Sequence, residues 1–240
     1  MLNGRAADEY FDGIKALGIA ADGGIPDFEH LTEVLWQATK WEIVPVAGLI
    51  PDDPFFNHLA HRRFPATTFI RTWAQLDYLQ EPDVFHDVFG HVPMLFQPVF
   101  SDYLQAYGRG GLKALRLGSL PNLARLYWYT VEFGLIRTPQ GLRIYGSGIV
   151  SSKGESIYSL EDAKPARVAF DLMRIMRTRY RIDDFQDIYF VIDNYDQLFA
   201  ETRPDFTSYY EQLEALSELS PGELIKGDEL LSSNPPGQPA

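Results

Sequence analysis

The chain has 240 residues, with 33 Asp and Glu against 21 Lys and Arg, which gives a formal net charge of −12 at pH 7. Such an acidic chain is a poor partner for nucleic acid, because a phosphate backbone binds cationic surfaces. The chain contains no Cys, which excludes disulfides and thiolate ligands, so any metal must be held by nitrogen and oxygen atoms.

The first third of the chain predicts helices separated by a loop. Residues 1–9 lack the basic start of a secretory signal, and no stretch approaches the roughly eighteen uninterrupted apolar residues of a membrane span, so we expect a cytoplasmic protein. Residues 31–43 carry apolar side chains at helical spacing, and Pro45 ends this predicted helix. A loop over residues 46–57 and a short helix over residues 73–78 follow.

The middle of the chain predicts one helix that glycines interrupt and one that is buried. Pro98 begins a predicted helix that runs to Tyr107, and the sequence GRGG at residues 108–111 breaks it. Pro121 fits the first turn of the next helix, where a missing amide hydrogen is tolerated. Residues 123–136 are apolar or aromatic on almost every side, which is typical of a buried helix.

The last third predicts alternating helices and strands. We expect strands at residues 141–145 and 187–192, since both are short and rich in β-branched or aromatic residues. Residues 146–154 form a predicted turn region because they are rich in glycine and serine. Helices are predicted over residues 166–178 and 195–201.

Two histidines, His86 and His91, lie five residues apart in a chain with only five histidines. On an ideal α-helix that spacing turns the two side chains by about 140°, so they cannot share a face. Gly90 and Pro93 favour leaving the helix, which predicts His86 on a last turn and His91 in the exit, with both rings converging. The alternative is a pair of ordinary structural histidines.

Glu132 is the best candidate for a third ligand. It lies in the buried aromatic segment, where a lone carboxylate is costly, and the only cation of that segment, Arg125, lies about two helical turns away. Two histidines and one carboxylate with open positions form the facial triad of non-haem Fe(II) oxygenases. The same three ligands could also serve a zinc-dependent hydrolase, which would need a general base beside the metal.

These residues carry a family resemblance. Residues 81–93 (EPDVFHDVFGHVP) and 126–135 (LYWYTVEFGL) resemble the catalytic core of the pterin-dependent aromatic amino acid hydroxylases, most closely the bacterial phenylalanine-hydroxylating members. Matching segments also occur at residues 46–49 (VAGL), 69–72 (FIRT) and 145–152 (YGSGIVSS). The resemblance implies that L-phenylalanine, with O2, Fe(2+) and a tetrahydropterin, is converted to L-tyrosine. Tryptophan, or another ring position of phenylalanine, remains an alternative.

The resemblance also implies a role for each matching residue. The metal and catalytic residues are His86, His91 and Glu132. The guanidinium of Arg71 would pair with the substrate carboxylate through two parallel hydrogen bonds. The implied substrate-binding residues are Arg71, Tyr78, Pro82, Trp128, Phe133 and Ser151. The implied cofactor-binding residues are Gly48, Leu49, Ile50, Phe55, Asp87 and Tyr127.

The expected fold is α+β, a predominantly helical single catalytic domain with small β-sheets. Residues 1–219 would form the iron- and pterin-binding domain, and residues 220–240, rich in Pro, Gly, Ser and acids, a flexible tail. The chain departs from many animal members at Leu79, where they have threonine, and at Asp87, where they have glutamate. The animal enzymes also have a regulatory domain and a tetramer-forming helix, for which this sequence has no room, so we expect a monomer.

Overall fold

A computed structural model of the chain describes residues 1–19, 24, 27–73 and 81–232. These residues form two compact units. The first, here called the histidine unit, is Asp8–Arg116, and the second, the glutamate unit, combines Met1–Ala7 with the residues from Leu117 onward. The predicted α+β class, predominantly helical with small sheets, is confirmed.

The histidine unit is mostly helical, with one two-stranded parallel sheet. Strands β1 and β2 pair from Glu42 opposite Arg63 to Val46 opposite Thr67. The core includes Leu31, Leu35, Trp41 and Leu59, all inaccessible to solvent. The elements are α1 (Asp8–Ala16), α2 (Phe28–Ala38), β1 (Glu42–Val46), α3 (Asp52–Ala60), β2 (Arg63–Thr67), a π-helix π1 (His86–His91), α4 (Val92–Leu95) and α5 (Pro98–Leu117).

The helix predicted over residues 31–43 is wrong at both ends. Helix α2 begins earlier because the Asp27 side chain accepts a hydrogen bond from the Glu29 amide and caps it. It ends at Ala38, and Lys40 turns the chain with a positive φ of 63°. Pro45 therefore does not end a helix but lies within β1, which a two-stranded sheet tolerates because each strand has an unpaired edge.

The loop predicted over residues 46–57 ends early, because α3 starts at Asp52. Two acidic residues in the first turn favour a helix start, since they interact with its positive end. Pro54 also lies in this first turn, where its missing amide hydrogen costs no helical bond. The short helix predicted over residues 73–78 lies, apart from Trp73, outside the described residues.

The break predicted at residues 108–111 is wrong, because α5 runs through it without interruption. Two of its glycines allow close packing instead. A Cβ atom at Gly108 would lie 2.4 Å from the Ala60 amide nitrogen, and one at Gly111 would lie 2.0 Å from the ring of the buried Phe56. These glycines are therefore needed where α5 packs against α3.

The glycines of α5 allow a matched test of this packing. Gly111→Ala should lower the free energy of unfolding by about 1–3 kcal/mol, because the added methyl group overpacks the Phe56 ring. Gly110→Ala, in the same helix but with no atom within 4 Å of the added Cβ, should raise it by about 0.5–1 kcal/mol. Urea unfolding measures both changes, and equal stability of the two variants would contradict the assigned packing.

The glutamate unit is built around a four-stranded mixed sheet of strand order β4-β3-β6-β5. Strand β3 is antiparallel to β4 and parallel to β6, and β5 is parallel to β6, whose five residues are all buried. The elements are α6 (Leu120–Tyr127), a second π-helix π2 (Trp128–Glu132), β3 (Leu135–Thr138), β4 (Gly141–Ile144), α7 (Ser147–Val150), α8 (Lys153–Glu161), β5 (Ala166–Ala169), α9 (Leu172–Met176), β6 (Ile188–Ile192), α10 (Tyr195–Thr202) and α11 (Thr207–Glu214).

Several predictions for this unit are confirmed and three are wrong. Strands β4 and β6 and helix α10 occur where they were predicted, and Pro121 lies in the first turn of α6. The segment 123–136 is not one α-helix, since it changes to π-helix and then to strand. The predicted turn region at residues 146–154 contains α7 and the start of α8. The helix predicted over residues 166–178 is divided into β5 and α9, because β5 pairs with β6 and the Asp171 side chain caps α9.

Residues 220–232 contact the edge strand β5. The Leu231 amide donates to the Arg167 carbonyl at 2.8 Å, and the Ala169 amide donates to the Glu229 carbonyl at 2.9 Å. Nearby, the Arg174 guanidinium and the Asp228 carboxylate form a buried ion pair at 2.9 Å. Residues 233–240 lie outside the described part of the chain, and the flexibility of residues 220–240 stays a prediction.

Glu155 in α8 is a buried carboxyl group. Its Oε1 atom accepts hydrogen bonds from the Tyr189 hydroxyl at 2.6 Å and from the Gln186 amide at 3.1 Å. Burial raises the pKa of Glu155 from 4.5 to about 7, because the charged form is poorly solvated there. The folded chain therefore holds this proton in a pH range where the unfolded chain has released it.

Glu155→Gln should remove a pH dependence of stability. Because the pKa of Glu155 is higher in the folded state, the wild type should lose stability as pH rises from 4.5 to about 7. The shift corresponds to about 3 kcal/mol. The neutral amide avoids this loss, so the variant should gain about that much relative to wild type between pH 4.5 and 8, as measured by urea unfolding. The exposed Glu214→Gln is the control, and a parallel pH profile for wild type and Glu155→Gln would contradict the prediction.

Candidate metal centre

The two histidines lie at the ends of π1, and this geometry differs from the predicted one. The Val92 amide donates to the Asp87 carbonyl, five residues earlier, as in a π-helix. A turn of this kind takes more residues than an α-helical turn, so side chains five residues apart lie much closer together, and His86 and His91 share a face. The predicted exit from the helix at Gly90 is wrong, since the chain continues into α4 with Pro93 in its first turn.

The two imidazole rings are arranged as a pair of ligands would be. Their Nε2 atoms lie 3.1 Å apart, and the ring planes meet at 82°. Two nitrogens at right angles around one ion, each about 2.1 Å from it, would be about 3 Å apart. His91 is buried and lies against the Phe64 ring at 5.2 Å, which limits its movement. The two nitrogens are therefore close enough to bind one ion.

Asp83 is a site residue that the sequence interpretation missed. Its inaccessible carboxylate accepts from the His86 amide at 3.0 Å and from three Arg71 donors, the amide, Nε and Nη2, at 2.7–2.9 Å. Burial alone would raise the pKa of Asp83, but the hydrogen bonds from Arg71 and His86 hold it below the ordinary value. An aspartate three residues before the first histidine, at a helix start, was the available signal.

Asp87 connects π1 to β2. Its Oδ2 atom accepts from both the amide and the hydroxyl of Thr67, each at 2.8 Å, and the side chain is buried. These bonds fix the helix between the two histidines. The role of Asp87 toward a cofactor stays a prediction.

The other candidate cofactor residues of the histidine unit lie after β1. Gly48, Leu49 and Ile50 form the connection from β1 to α3, and Leu49 is 67% exposed. Phe55 in α3 contacts the Phe56 ring edge-on at 5.4 Å. Of the candidate substrate residues, Pro82 is half-buried and Tyr78 lies outside the described residues. Their proposed roles stay predictions.

In the glutamate unit, Glu132 is the last residue of π2. The Phe133 amide donates to the Trp128 carbonyl at 2.9 Å, which closes the five-residue turn. The Glu132 Oε2 atom accepts from the Ser147 hydroxyl at 2.8 Å. Arg125, the only cation of the aromatic segment, instead pairs with the Glu218 carboxylate and donates to the Met176 carbonyl. Ser147 was missed by the sequence interpretation, although it lies within the YGSGIVSS segment.

Two of the aromatic candidates of this unit, Trp128 and Phe133, pack against each other. The Trp128 ring stacks on Tyr180 at 4.3 Å and lies against Phe133 at 4.8 Å. Its indole Nε1 donates to the Gln186 side chain at 3.0 Å, and no local sequence pattern indicates this partner. Tyr127 is half-buried. The Ser151 hydroxyl donates to the Ser147 carbonyl at 2.8 Å, and its predicted role toward the substrate stays a prediction.

Among the described helices, none combines the length and the hydropathy that crossing a membrane requires.

Known proteins resemble this chain in sequence and in structure. The family model of the biopterin-dependent aromatic amino acid hydroxylases matches residues 3–218. A phenylalanine-4-hydroxylase of Ralstonia nicotianae is 62% identical over 97% of this chain and 74% of its own length. One of Chromobacterium violaceum is 61% identical over 97% of this chain and 78% of its own length.

Solved structures of the Chromobacterium violaceum phenylalanine hydroxylase agree with the fold. The cobalt-bound structure has a TM-score of 0.93 at 62% identity and covers 95% of this chain and 82% of its own. The structure with bound oxidised Fe(III) has a TM-score of 0.92 with the same identity and coverage. The expected fold, a single catalytic domain of the hydroxylase type, is confirmed. This chain belongs to the biopterin-dependent aromatic amino acid hydroxylase family.

Proposed function

We propose that the chain is a phenylalanine 4-monooxygenase, which uses a non-haem Fe(II), a tetrahydropterin and O2 to convert L-phenylalanine to L-tyrosine. One observation carries the proposal: bacterial proteins named phenylalanine-4-hydroxylase are 61–62% identical to this chain over 97% of its length. This sequence identity supports the same reaction for this chain as for these relatives.

The ferrous ion is proposed to bind to His86, His91 and Glu132. Each of these residues offers one ligand atom, and together they form the group of described residues that could hold a metal ion. The donor set fits iron, because two neutral imidazoles and one carboxylate are the ligands of the non-haem Fe(II) oxygenases. The Nε2 separation of 3.1 Å and the hydrogen bond from Ser147 to Glu132 further support this set.

The cofactors and the protein have different roles in the proposed reaction. When bound, the ferrous ion would activate O2 and the reduced pterin would supply two electrons, so that one oxygen atom of O2 enters the ring and the other is reduced to water. The chain's own residues bind and orient the substrate, and they exclude water. Three protein ligands leave positions of the ion open, and the Trp128 and Phe133 rings supply an apolar surface that excludes water and fits an aromatic side chain.

Arg71 is proposed to bind the carboxylate of the amino acid substrate. Its guanidinium is held on one side by Asp83, which fixes the direction of the remaining N–H donors. A guanidinium held in one position donates two parallel N–H groups, which orient the amino acid as well as bind it. Hydroxylation at a single ring position requires such an orientation. The proposed substrate-binding residues are Arg71, Tyr78, Pro82, Trp128, Phe133 and Ser151.

The pterin is proposed to lie against the connection between β1 and α3. A flat bicyclic ring needs an aromatic face and main-chain groups for its amide-like edge. The connection offers the main-chain groups, and Phe55 in the first half of α3 offers the aromatic face. Leu49 is exposed, which supports the proposal that a ligand can reach this loop. The proposed pterin-binding residues are Gly48, Leu49, Ile50, Phe55, Asp87 and Tyr127.

In the cell, the chain is proposed to be a cytoplasmic monomer that acts on a small molecule and binds neither membrane nor nucleic acid. The formal net charge of −12 supports the absence of a nucleic-acid partner. The lack of cysteine is compatible with a reducing compartment. Light scattering of the purified chain measures the oligomeric state.

An anaerobic reconstitution tests the proposed reaction. Metal-free protein is mixed with Fe(2+), tetrahydrobiopterin and L-phenylalanine, exposed to 18O-labelled O2, and the product is read by mass. We expect 18O-labelled L-tyrosine only when both cofactors are present. The control replaces Fe(2+) with Zn(2+), which has no redox chemistry and should give no tyrosine. Product from L-tryptophan alone, or hydroxylation at another ring position, would contradict the proposed substrate or position.

A further inference from the structure

Ser147 connects the chain's candidate carboxylate ligand to the fold. Its hydroxyl oxygen lies 2.8 Å from Glu132 Oε2 and 3.0 Å from the Val131 carbonyl oxygen. The residue is 1% exposed, so water does not compete for the single hydroxyl proton, which these two acceptors share. Val131 lies at the end of π2, where helix carbonyls have no partner within the helix, and the hydroxyl reaches both this carbonyl and the carboxylate.

The two glycines that flank Ser147 allow this close approach. A Cβ atom at Gly146 would lie 2.4 Å from the Glu132 carbonyl oxygen, and one at Gly148 would lie 2.9 Å from the Phe133 ring. Any larger residue at either position would push the segment away from π2. The Gly146 amide also donates to the Gly134 carbonyl at 3.1 Å, which holds the segment in place. The sequence GSG at residues 146–148 therefore allows the Ser147 hydroxyl to contact the end of π2.

We propose that Ser147 is a positioning residue that fixes the Glu132 carboxylate in the orientation needed to bind the metal. The inference rests on the proposed function, because it needs Glu132 to be a ligand. A hydroxyl bonded to an ionised carboxylate makes a strong hydrogen bond and restricts side-chain rotation. Hydrogen-bond partners of ligands typically change metal affinity by about 10- to 100-fold. Ser147 should therefore act on metal binding before it acts on any step of the reaction.

Ser147→Ala tests this inference with Co(2+) as the probe, since the related Chromobacterium violaceum protein has been solved with cobalt. The dissociation constant of Co(2+) is measured by competition with a chelator. We expect about 10- to 100-fold weaker binding by Ser147→Ala. The matched control is Ser156→Ala, an equally buried serine whose hydroxyl donates to the Lys153 carbonyl at 3.0 Å. It should bind Co(2+) as wild type does.

A second comparison separates positioning from a general structural role. In a Glu132→Ala background there is no carboxylate to position, so adding Ser147→Ala should change the residual Co(2+) affinity less than twofold. A loss of similar size in both backgrounds would overturn the inference, as would wild-type affinity in a Ser147→Ala variant that unfolds at the same temperature as wild type. Failure of the wild type itself to bind Co(2+) would overturn the proposed metal site as well, so the two failures are distinguishable.

Discussion

Glu132→Ala should lose metal and activity together. The substitution removes the one charged ligand of the proposed set and leaves two neutral imidazoles. We expect Fe(2+) affinity to fall by at least about 100-fold, which corresponds to about 3 kcal/mol, with a fall in tyrosine formation of at least the same size. Atomic absorption of desalted protein measures the iron content, and coupled product analysis measures turnover.

The control for Glu132→Ala is Glu214→Ala, an exposed acid in α11. It lowers the net negative charge by the same amount without touching the candidate site. Both variants should unfold cooperatively. If the folded Glu132→Ala protein kept the wild-type iron content, Glu132 would not be a ligand, and the donor set would have to be sought elsewhere.

Arg71→Ala should raise the KM for phenylalanine by about 100-fold and leave the KM for the pterin within about twofold. Hydrogen bonds to charged groups contribute about 1.5–3 kcal/mol, and the variant loses the proposed partner of the substrate carboxylate. Steady-state kinetics with each substrate varied in turn gives both values. Arg116→Ala, an exposed arginine of α5, is the matched control for the loss of one positive charge.

Asp83→Asn refines this prediction. The guanidinium stays charged but loses its carboxylate partner, so the KM for phenylalanine should rise by less than in Arg71→Ala. The two variants thus separate the charge of Arg71 from its orientation. An equal rise in the KM values for phenylalanine and pterin in Arg71→Ala would show that its role is misassigned.

The sequence predicted those elements whose signals are local. The strand pattern of β6 needs no distant partner to be recognised, and neither does the start of α6 at a proline. The glycines of α5 were misinterpreted because their partners, Phe56 and Ala60, are some fifty residues away in sequence. Strand β5 was likewise taken for helix, since its pairing with β6 overrides a weak local preference.

In the candidate site, the sequence indicated the types of the key residues but not their arrangement in space. His86 and His91 were recognisable because histidine is rare in this chain, and Glu132 because it is the lone carboxylate of an apolar, aromatic segment. The π-helical turn that places both imidazoles on one face was not predictable, since the α-helical period was the natural assumption. Ser147 and Gln186 were missed because their partners, Glu132 and Trp128, lie 15 and 58 residues away.

We propose that one metal ion is bound by His86, His91 and Glu132, with further coordination positions left open. A crystal structure of the Fe(2+)-loaded chain, with an anomalous map recorded at the iron edge, tests it most directly. We predict a single peak about 2.1 Å from His86 Nε2, His91 Nε2 and a Glu132 carboxylate oxygen. A peak bound by other residues, or one that lacks Glu132 among its ligands, would show that the proposed ligand set is wrong.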